Sequence, residues 1–506
     1  VLAYPNFIFP QTHPDRLSTA AKFCGMNPAS PDKCRVLELG CGTGTNLNWL
    51  ASNLPESEFI GIDLAENHII EAEKTKTNLE LRNISFLRTD ILNLSEKDFG
   101  KFDYIIAHGL FSWVPDFVRE KVLSLYDELL NPNGVGFISY NVYPGSYQRQ
   151  IVRDIMHFHT QGIEDPLEKI EEGIGLIDFL SGQTTTLFKN ILKHELEGLA
   201  GRQIGNIYHD EFSEVNQPFY FTEFIAEAEK HNLQFVSESE YFPHQPNNVS
   251  DEAASVFKEL SRNTIQYEQY SDFVKCRRFR QTILCKKDVV LDRQLDPLKI
   301  NEFYISSFLK SPSPQVDLNP DSFKQFINEN NAKIDISHNL TKVVLVVLMS
   351  LGWHLNRFDE LLVKANEILQ AQGIIYDDLE KEVKITAFTL LQLYSPYGIG
   401  FHSTKSNAVD FISEKPFVSK FIRQQAIESD FIINFYGFKL NVQDYFLSSL
   451  LILLDGTRTR ENLLDELTQI FASEEELADK DAFLAQIPEM LDRNLFILAK
   501  TGFLIG

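Results

Sequence analysis

The stretch Glu38-Leu39-Gly40-Cys41-Gly42-Thr43-Gly44-Thr45-Asn46 decides the fold of this chain. It follows the short, mainly apolar run 35–37, and an acidic residue, Asp63, closes the segment 61–63 further on. This order predicts a strand, a glycine-rich turn, a helix and a second strand that ends in a carboxylate. Such a unit binds a nucleoside-containing cofactor at the carboxyl edge of a parallel sheet.

The spacing of the glycines indicates which cofactor binds. A nicotinamide or flavin site uses G-x-G-x-x-G, which places pyrophosphate on the helix N-terminus. Counting from Gly40, the last position of that pattern is Thr45, and the third glycine is instead Gly44. Glu38 precedes the turn and would repel a diphosphate but not a cation. S-adenosylmethionine carries a cationic amino group and a sulfonium without phosphate, and the pattern resembles motif I of the class I methyltransferases.

The following segments continue the pattern of strands alternating with helices, which predicts a parallel sheet. Strands are predicted at 58–63, 84–90, 102–109 and 135–140, with a turn at 131–134. Asp63 would accept both ribose hydroxyls, and Asp90 would accept from the adenine amino group. Leu64 and Ile91 would cover the two ring faces. Taken singly, each acid could equally be a helix cap or a solvated strand end.

The end of the sheet comes late in the chain. A helix at 219–232, a sixth strand at 233–240 and a seventh at 278–286 leave an insertion between Asn141 and Phe219. The insertion has apolar stripes at helical spacing. They are formed by Ile170, Ile174, Ile177, Leu187, Phe188, Ile191, Leu192, Leu196 and Leu199. Because no core for them is evident, the stripes predict a surface that covers the active site or pairs two subunits.

The C-terminal half divides at two polar breaks, 310–315 and 395–407. Between them the pattern is mostly helical, and beyond them short helices indicate a winged-helix-like module. Nucleic-acid readers of this type use basic helices. Only Arg458 and Arg460 stand nearby amid many acids, so protein contact is the expected use.

Composition narrows the classes of function. A length of 506 residues predicts about three domains. The net charge of -24 argues against a nucleic-acid partner, because phosphate binding needs clustered Lys and Arg. Five cysteines without a C-x-x-C pair predict neither disulfides nor zinc and fit the reducing cytoplasm. The longest apolar run, 343–351, predicts a buried helix and no membrane insertion.

No metal site is predicted. His194-Glu195 begins like an H-E-x-x-H zinc motif, but the position of the second histidine is Gly198.

Several further stretches are similar to one bacterial methyltransferase family, which carries a methyltransferase regulatory domain and includes rickettsial lysine methyltransferases acting on outer membrane protein B. The stretches are Tyr4-Pro5, 10–17, 107–109 with 112–115, 139–145 and 278–282. The resemblance implies S-adenosylmethionine as methyl donor, with S-adenosylhomocysteine as product, and lysines of a protein substrate as acceptors. It also implies an inserted dimerisation domain, hence a homodimer, then a middle domain and a C-terminal winged-helix-like domain.

The expected fold is therefore α/β: a Rossmann-like seven-stranded sheet with a helical insertion, a mainly helical middle domain and a winged-helix-like C-terminal domain. The expected boundaries are 1–145 and 205–290 for the methyltransferase core, 146–204 for the insertion, 291–400 for the middle domain and 401–506 for the last domain.

The predicted cofactor-binding residues come from the N-terminal segment, motif I and the strand ends. They are Gln11, Thr12, His13, Glu38, Gly40, Cys41, Gly42, Gly44, Asp63, Leu64, Asp90, Ile91 and His108. Gln11, Thr12 and His13 are polar and stand between two prolines, which predicts a cap over the cofactor.

The substrate side should lie at the ends of the fourth and fifth strands. The candidates there are His108, Trp113, Tyr140, Asn141 and Tyr143. Trp113 and Tyr143 could equally be core residues, and His108 could be a base or could act only through its backbone. The fourth strand carries Ala107-His108-Gly109-Leu110 where exocyclic-amine methyltransferases have an Asn/Asp-Pro-Pro-aromatic tetrad, which argues against DNA adenine methylation.

Two other classes of function stay open. The chain could methylate a small molecule, with the insertion as a lid. It could also bind S-adenosylmethionine as a regulator without turnover.

Overall fold

The computed structural model describes residues 6–240, 250–294, 296–313, 315–319, 321–328, 330–351, 355–394, 398–474 and 479–506. Tyr4-Pro5 of the resemblance and Ser395-Pro396-Tyr397 of the second polar break lie outside the described residues.

Seven strands form one sheet in the order β3-β2-β1-β4-β5-β7-β6. They are β1 Arg35–Leu39, β2 Glu58–Asp63, β3 Ile84–Arg88, β4 Phe102–Ala107, β5 Leu130–Asn141, β6 Leu233–Glu238 and β7 Phe279–Lys286. Strands β1 to β5 are parallel, and β7 lies antiparallel between β5 and β6. The predicted seven-stranded sheet is confirmed.

Helices cover both faces of the sheet and form the insertion. They are α1 Pro14–Phe23, α2 Thr45–Asn53, α3 Glu66–Leu79, α4 Glu96–Phe99, α5 Asp116–Leu129, α6 Ser146–His159, α7 Pro166–Gln183, α8 Thr186–Leu199, α9 Ile204–Glu211, α10 Phe221–Lys230, α11 Asp251–Leu260 and α12 Thr264–Lys275. The central strands are buried on both sides, as parallel strands covered by helices must be.

The predicted turn at 131–134 lies inside β5. Leu130 pairs with Phe102 and Val135 pairs with Tyr104, so four residues of β5 lie opposite the single residue Asp103. The extra residues bulge out of the sheet while the strand continues.

The helices of the insertion bury their apolar stripes against one another. Ile177 and Leu192 are fully buried in a small core with Val152 and Met156 of α6. In a second cluster, Ile170 of α7 packs with Leu199 of α8 and with Ile207 of α9. The prediction that the stripes lack a core is therefore wrong, because the helices cover each other. Since Ile207 belongs to this cluster, the boundary expected at residue 204 cuts α9 away from its packing partners.

The middle domain combines three helices with short strands. Its elements are β8 Tyr304–Ser307, β9 Lys324–Ile327, β10 Lys333–Ile336, α13 Asn339–Ser350, β11 Asn356–Arg357, α14 Phe358–Ala371, α15 Leu379–Gln392 and β12 Ile399–His402. Helix α13 is the predicted buried helix, with Val343 and Leu348 inside the core. Strand β12 pairs with β8, so the boundary expected at residue 400 falls inside a strand and moves beyond His402.

Pro314 of the polar break at 310–315 lies outside the described residues, and the residues on either side of it contact the middle domain. Lys310 and Ile327 exchange backbone hydrogen bonds of 2.8 Å in both directions. The ammonium of Lys324 donates to the carbonyl oxygen of Gln315 at 2.7 Å and also to that of Ser313. These contacts fix the segment against β9.

The C-terminal domain has its own core of leucines and phenylalanines. Its elements are α16 Lys420–Glu428, β13 Phe431–Ile433, β14 Lys439–Asn441, α17 Tyr445–Leu453, α18 Arg460–Ser473 and α19 Lys480–Lys500. Strands β13 and β14 form an antiparallel hairpin beside the helices.

Within the part of the chain that the structure describes, no helix combines the length and the apolar character that a membrane crossing requires. Among the same residues, no group of three or more His, Cys, Asp or Glu side chains has an arrangement that could hold a metal ion.

Candidate functional site

The loop after β1 folds back because its three glycines adopt left-handed backbone angles. Gly40, Gly42 and Gly44 have φ values of 74°, 53° and 69°. A Cβ atom on Gly44 would lie 2.6 Å from the ring of Phe86, so only glycine fits there. The amides of Gly40 and Cys41 donate to the carbonyl oxygen of Ile62 at 2.8 and 3.0 Å. The loop thus lies across the carboxyl ends of β1 and β2.

Asp63 ties this loop to the end of β2. Its Oδ2 accepts from the amide of Gly42 at 2.9 Å, and its Oδ1 accepts from the amide of Ala65 at 2.8 Å. A carboxylate offers about four lone-pair sites, so acceptor capacity remains for a ligand. The neighbouring side chain of Leu64 is 68% exposed and is free to cover a ligand face.

Asp90 follows β3 and begins a short 3-10 turn. Its Oδ1 accepts from the amide of Leu92 at 3.0 Å, and Ile91 is partly buried against the sheet core. The structure thus gives Asp90 a capping role, which uses one of its two carboxylate oxygens.

Glu38 is a buried carboxylate beside the glycine loop. Its Oε1 accepts from the side-chain amide of Asn46 at 3.1 Å, whereas its Oε2 has no hydrogen-bond partner in the described part of the chain. Burial raises the pKa of Glu38 to about 8. A cationic amine is the kind of partner that would satisfy the unpaired oxygen and keep this group ionised.

The N-terminal segment 9–12 lies over the loop and over His108. Asn46 donates to the hydroxyl of Thr12 at 3.1 Å and accepts from the amide of Phe9 at 2.9 Å. The side-chain nitrogen Nε2 of Gln11 lies 3.3 Å from Nε2 of His108. The segment is therefore bonded to Asn46 at both of its ends and contacts His108 through Gln11, so it spans the space between the glycine loop and the end of β4, here called the groove.

His13 does not belong to this cap, and its predicted contact with the cofactor is corrected. Its ring is 2% exposed and lies against Trp49 and Phe435, with ring centroids 5.3 and 4.6 Å away. Its Nδ1 accepts from the amide of Asp15, which caps α1. Burial lowers the pKa of His13 to about 4, so it is a neutral packing residue.

His108 stands directly after β4, between the cap and the sheet. Its ring stacks on Phe9 and lies parallel to Phe137, with centroids 3.8 and 5.8 Å away. Burial lowers the pKa of His108 to about 3. The imidazole is therefore neutral at pH 7 and too weakly basic to hold a proton taken from an amine.

A cavity of about 290 Å³, here called the edge chamber, adjoins His108. It lies between the carboxyl edge of the sheet and the insertion. Its lining is His108, Gly109, Trp113, Asn141, Ser146, Arg149, Val152, Glu195, Gly198, Leu199, Arg202, Asp210, Glu211, Arg278 and Phe279. Three predicted substrate-side residues, His108, Trp113 and Asn141, are thus brought together.

Charged residues of the insertion, together with Arg278 just before β7, form the far wall of the edge chamber. Arg149 and Arg202 both bind Oε1 of Glu211, at 2.6 and 2.9 Å. Arg278 binds Oε2 of Glu195 at 3.0 Å. The two arginines hold the pKa of the buried Glu211 below its usual value. Sequence reasoning missed this wall, because no single motif joins its residues; Glu195 and Arg278 each stood in a noted stretch, but neither was assigned to the site.

Two tyrosines lie elsewhere than predicted. Tyr140 is 1% exposed, its hydroxyl lies 3.0 Å from that of Thr282, and its ring stacks on Phe224. It is a core residue, and its predicted place in the substrate wall is corrected. Tyr143 stacks on Tyr147 with centroids 4.1 Å apart, and it is not among the residues that line the edge chamber.

Comparison with known proteins agrees with this geometry. Residues 37–135 match the model of a methyltransferase domain, residues 205–286 match a predicted methyltransferase regulatory domain, and residues 414–500 match the PKMT, C-terminal winged helix domain.

Rickettsial proteins are similar over larger parts of the chain. An uncharacterized protein of Rickettsia prowazekii is 35% identical over 338 residues, which are 65% of this chain and only 60% of that relative. A second uncharacterized protein of this organism is 35% identical over 230 residues, 45% of this chain and 92% of its own length. The structure of PKMT2 from Rickettsia typhi in complex with AdoHcy is 27% identical, with a TM-score of 0.87, and covers 99% of this chain and 100% of its own.

The sheet order, the glycine loop and the acid that closes it define a class I methyltransferase domain. The chain belongs to the family of these rickettsial proteins. In this chain the methyltransferase domain is joined to a methyltransferase regulatory domain and a PKMT winged helix domain. The resemblance stated from the sequence is confirmed.

Proposed function

We propose that the protein transfers methyl groups from S-adenosylmethionine to lysine side chains of a protein substrate. The observation that carries the cofactor assignment is the unpaired, buried Oε2 of Glu38 beside a glycine loop that closes on Asp63. These carboxylate oxygens are acceptors, so they suit a ligand that donates from an amino group and ribose hydroxyls and carries no phosphate.

Each part of the groove has a role toward this cofactor. Glu38 would pair with its amino group, Asp63 would accept from the ribose hydroxyls, and Leu64 and Ile91 would cover the adenine beside Asp90. The loop from Gly40 to Gly44 lets the backbone approach closely. When bound, the cofactor supplies a methyl group that its sulfonium already activates, so the protein mainly orients the nucleophile and excludes water.

The edge chamber supports an acceptor that enters as a side chain. The chamber adjoins His108. The side-chain nitrogen of Asn141 donates to Oδ1 of Asn216 at 2.8 Å, which leaves the side-chain oxygen Oδ1 of Asn141 as an acceptor for an amine. The neutral ring of His108 adds no positive charge that would repel a lysine. The designation PKMT, carried by the matched winged helix model and the R. typhi structure, supports a protein lysine as the acceptor.

A small-molecule acceptor is the second candidate, favoured by the limited volume of the edge chamber and by the insertion that walls it. Labelled methyl transfer into a cell extract, resolved by size, separates the possibilities. We expect label in the protein fraction. Label confined to small molecules would support the second candidate, and no transfer would leave a cofactor-binding regulator.

We also propose a homodimer, with the insertion at its interface. We expect the interface on the helices that contain Ile170, Ile174, Phe188 and Leu192, although the side chains of Ile170 and Leu192 are themselves buried within the insertion. Instead Phe158, Phe179 and Leu187 are 75%, 63% and 75% exposed, and these side chains support a second copy as partner. Light scattering at micromolar protein tests this, and a monomeric mass would contradict it.

The charges and cysteines support a cytoplasmic protein that does not bind nucleic acid. Arg458 is paired with Asp455 and Glu466, and Arg460 with Asp492, so the two arginines at the start of α18 both have carboxylate partners. The five cysteines are free thiols, and four of them are buried, which suits a reducing compartment.

A further inference from the structure

We infer that the tip of the β13–β14 hairpin, residues 434–437 of the C-terminal domain, holds the N-terminal cap over the cofactor groove, with Phe435 as a positioning residue for cofactor binding. The inference rests on the proposed function, because it assigns the groove to S-adenosylmethionine. It gives the C-terminal domain a part in completing a site almost four hundred residues earlier in the chain.

The hairpin tip has a fixed shape. The side-chain oxygen of Asn434 accepts from the amides of Tyr436 and Phe438 at 2.9 and 3.0 Å. Its side-chain nitrogen donates to the carbonyl oxygen of Thr501 at 2.8 Å, just after α19. One asparagine therefore joins the tip to the last helix of the domain, so the tip moves with that domain.

The tip contacts Pro10 inside the cap and His13 directly after it. The ring of Phe435 lies 4.6 Å from the ring of His13, at an angle of 62°. A Cβ atom on Gly437 would lie only 2.5 Å from Cβ of Pro10, so the backbone of Gly437 packs closely against the ring of Pro10. Pro10 and His13 enclose Gln11 and Thr12, which means that the hairpin supports the cap from behind.

The contact belongs to a continuous core. Phe421 of α16 and Ile433 of β13 are buried in the same hydrophobic cluster as Leu17 and Trp49 of the methyltransferase domain. The hairpin tip is therefore packed on the methyltransferase domain and does not merely touch it.

From the cap, short contacts lead to the groove. The hydroxyl of Thr12 accepts from Asn46, which also donates to Glu38 at 3.1 Å. On the other side Gln11 contacts His108, and Phe9 stacks on the same ring. A displaced cap would loosen both walls of the groove at once.

A second attachment fixes the same region. Oδ2 of Asp15, in the first turn of α1, lies 2.9 Å from Nδ1 of His402. Its Oδ1 accepts from the amides of Ser403 and Thr404 at 2.6 and 3.0 Å. Asp15 is 3% exposed, so this joint between the middle and C-terminal domains is buried against the helix that follows the cap.

The test is the affinity of the full chain for S-adenosylhomocysteine, measured by calorimetry. Phe435→Ala should weaken binding about tenfold, because the cap loses its support. Phe483→Ala is the matched control: Phe483 is also a partly buried phenylalanine of this domain, but it packs on Phe471, with centroids 5.1 Å apart. It should leave the dissociation constant within about twofold of wild type. In turnover, Phe435→Ala should raise the cofactor KM and leave kcat at saturating cofactor unchanged.

A double-mutant cycle shows whether Phe435 acts through the cap. In a Phe9→Ala background, Phe435→Ala should cost much less affinity than in wild type, because the cap is already released. Additive losses, an unchanged affinity of Phe435→Ala, or an equal loss in Phe483→Ala would each overturn the inference. If the wild-type chain does not bind S-adenosylhomocysteine, the proposed function fails and this inference with it. Normal wild-type binding with an unaffected Phe435→Ala variant refutes this inference alone.

Discussion

Phe9 lies flat against His108, with ring centroids 3.8 Å apart and ring planes inclined by 19°. The contact joins Phe9, which precedes motif I in the chain, to His108, which follows β4. It buries the imidazole and accounts for the low pKa of His108. The cap and the substrate side of the site are therefore coupled through one pair of rings.

Phe9→Ala should weaken cofactor binding by about 1 kcal/mol, the typical value of one aromatic pair beyond its buried area. It should also raise the pKa of His108 toward its usual value, because the ring becomes hydrated. Calorimetry and an NMR titration of the imidazole measure the two effects. Phe117→Ala, at a 60% exposed phenylalanine of α5, is the control and should change neither.

Asp63→Ala should weaken cofactor binding by about 1–3 kcal/mol, the usual loss for a charged hydrogen-bonding partner. The variant removes the acceptor for the ribose and also the bond to the amide of Gly42. Glu58→Ala at the other end of β2 is the matched control, since Glu58 pairs with Arg35 at the surface. If Asp63→Ala and wild type bind the cofactor with equal affinity, Asp63 does not contribute to cofactor binding.

Glu38 should make stability depend on pH. Its pKa rises from 4.5 to about 8 on folding, so the folded chain binds the proton more tightly than the unfolded chain. The contribution of Glu38 to stability is therefore full below about pH 4.5 and is lost as the pH rises to about 8. Glu38→Gln keeps the shape and cannot ionise, so its stability should fall less than that of wild type across this range. Thermal unfolding at several pH values measures the difference.

Cofactor binding should release a proton from Glu38. A bound cation lowers the pKa of the carboxyl, so between about pH 5 and 8 the complex holds fewer protons than the free protein. Calorimetry of S-adenosylhomocysteine binding in buffers of different ionisation enthalpy measures this release. Glu38→Gln should abolish it, and an unchanged proton count in that variant would show that the cationic amine does not face Glu38.

Arg280→Met should destabilise the methyltransferase domain by about 3–5 kcal/mol, because Glu238 and Glu268 lose their ion pairs and the buried Asp272 keeps only its pair with Arg277. Arg280 is fully buried and binds Asp272, Glu238 and Glu268 at 2.8, 2.6 and 3.0 Å. Arg88→Met breaks an exposed pair with Glu66 in the same domain and should cost at most about 1 kcal/mol. Similar shifts in unfolding midpoint for the two variants would contradict this account.

The sheet and the glycine loop could be predicted because their signals are local. The turn needs glycines at fixed positions, and Asp63 follows its strand directly. The prediction that Tyr140 lies in the substrate wall was wrong because local signals do not show which face of a strand a side chain occupies. Tyr140 stands one residue before Asn141, and neighbouring strand residues point to opposite faces. The sequence marks the end of β5 but not which of the two residues reaches the chamber.

Contacts between distant segments could not be read from the sequence. His13 was predicted to belong to a cap because it is polar and stands between two prolines. Its role is decided instead by packing against Phe435, which lies 422 positions further along the chain. The stripes of the insertion were recognised by their period, whereas their partners on other helices were not. The charged wall around Glu211 combines residues of three helices and two loops, and no single motif joins them.

The chemical identity of the methylated group tests the central claim most directly. The full chain is incubated with radiolabelled S-adenosylmethionine and a cell protein fraction, the protein is hydrolysed to amino acids, and the label is separated by chromatography, with Asp63→Ala as the matched control. The account predicts label in methylated lysine that depends on Asp63. Label in any other amino acid, or label that is equal with Asp63→Ala, would contradict it.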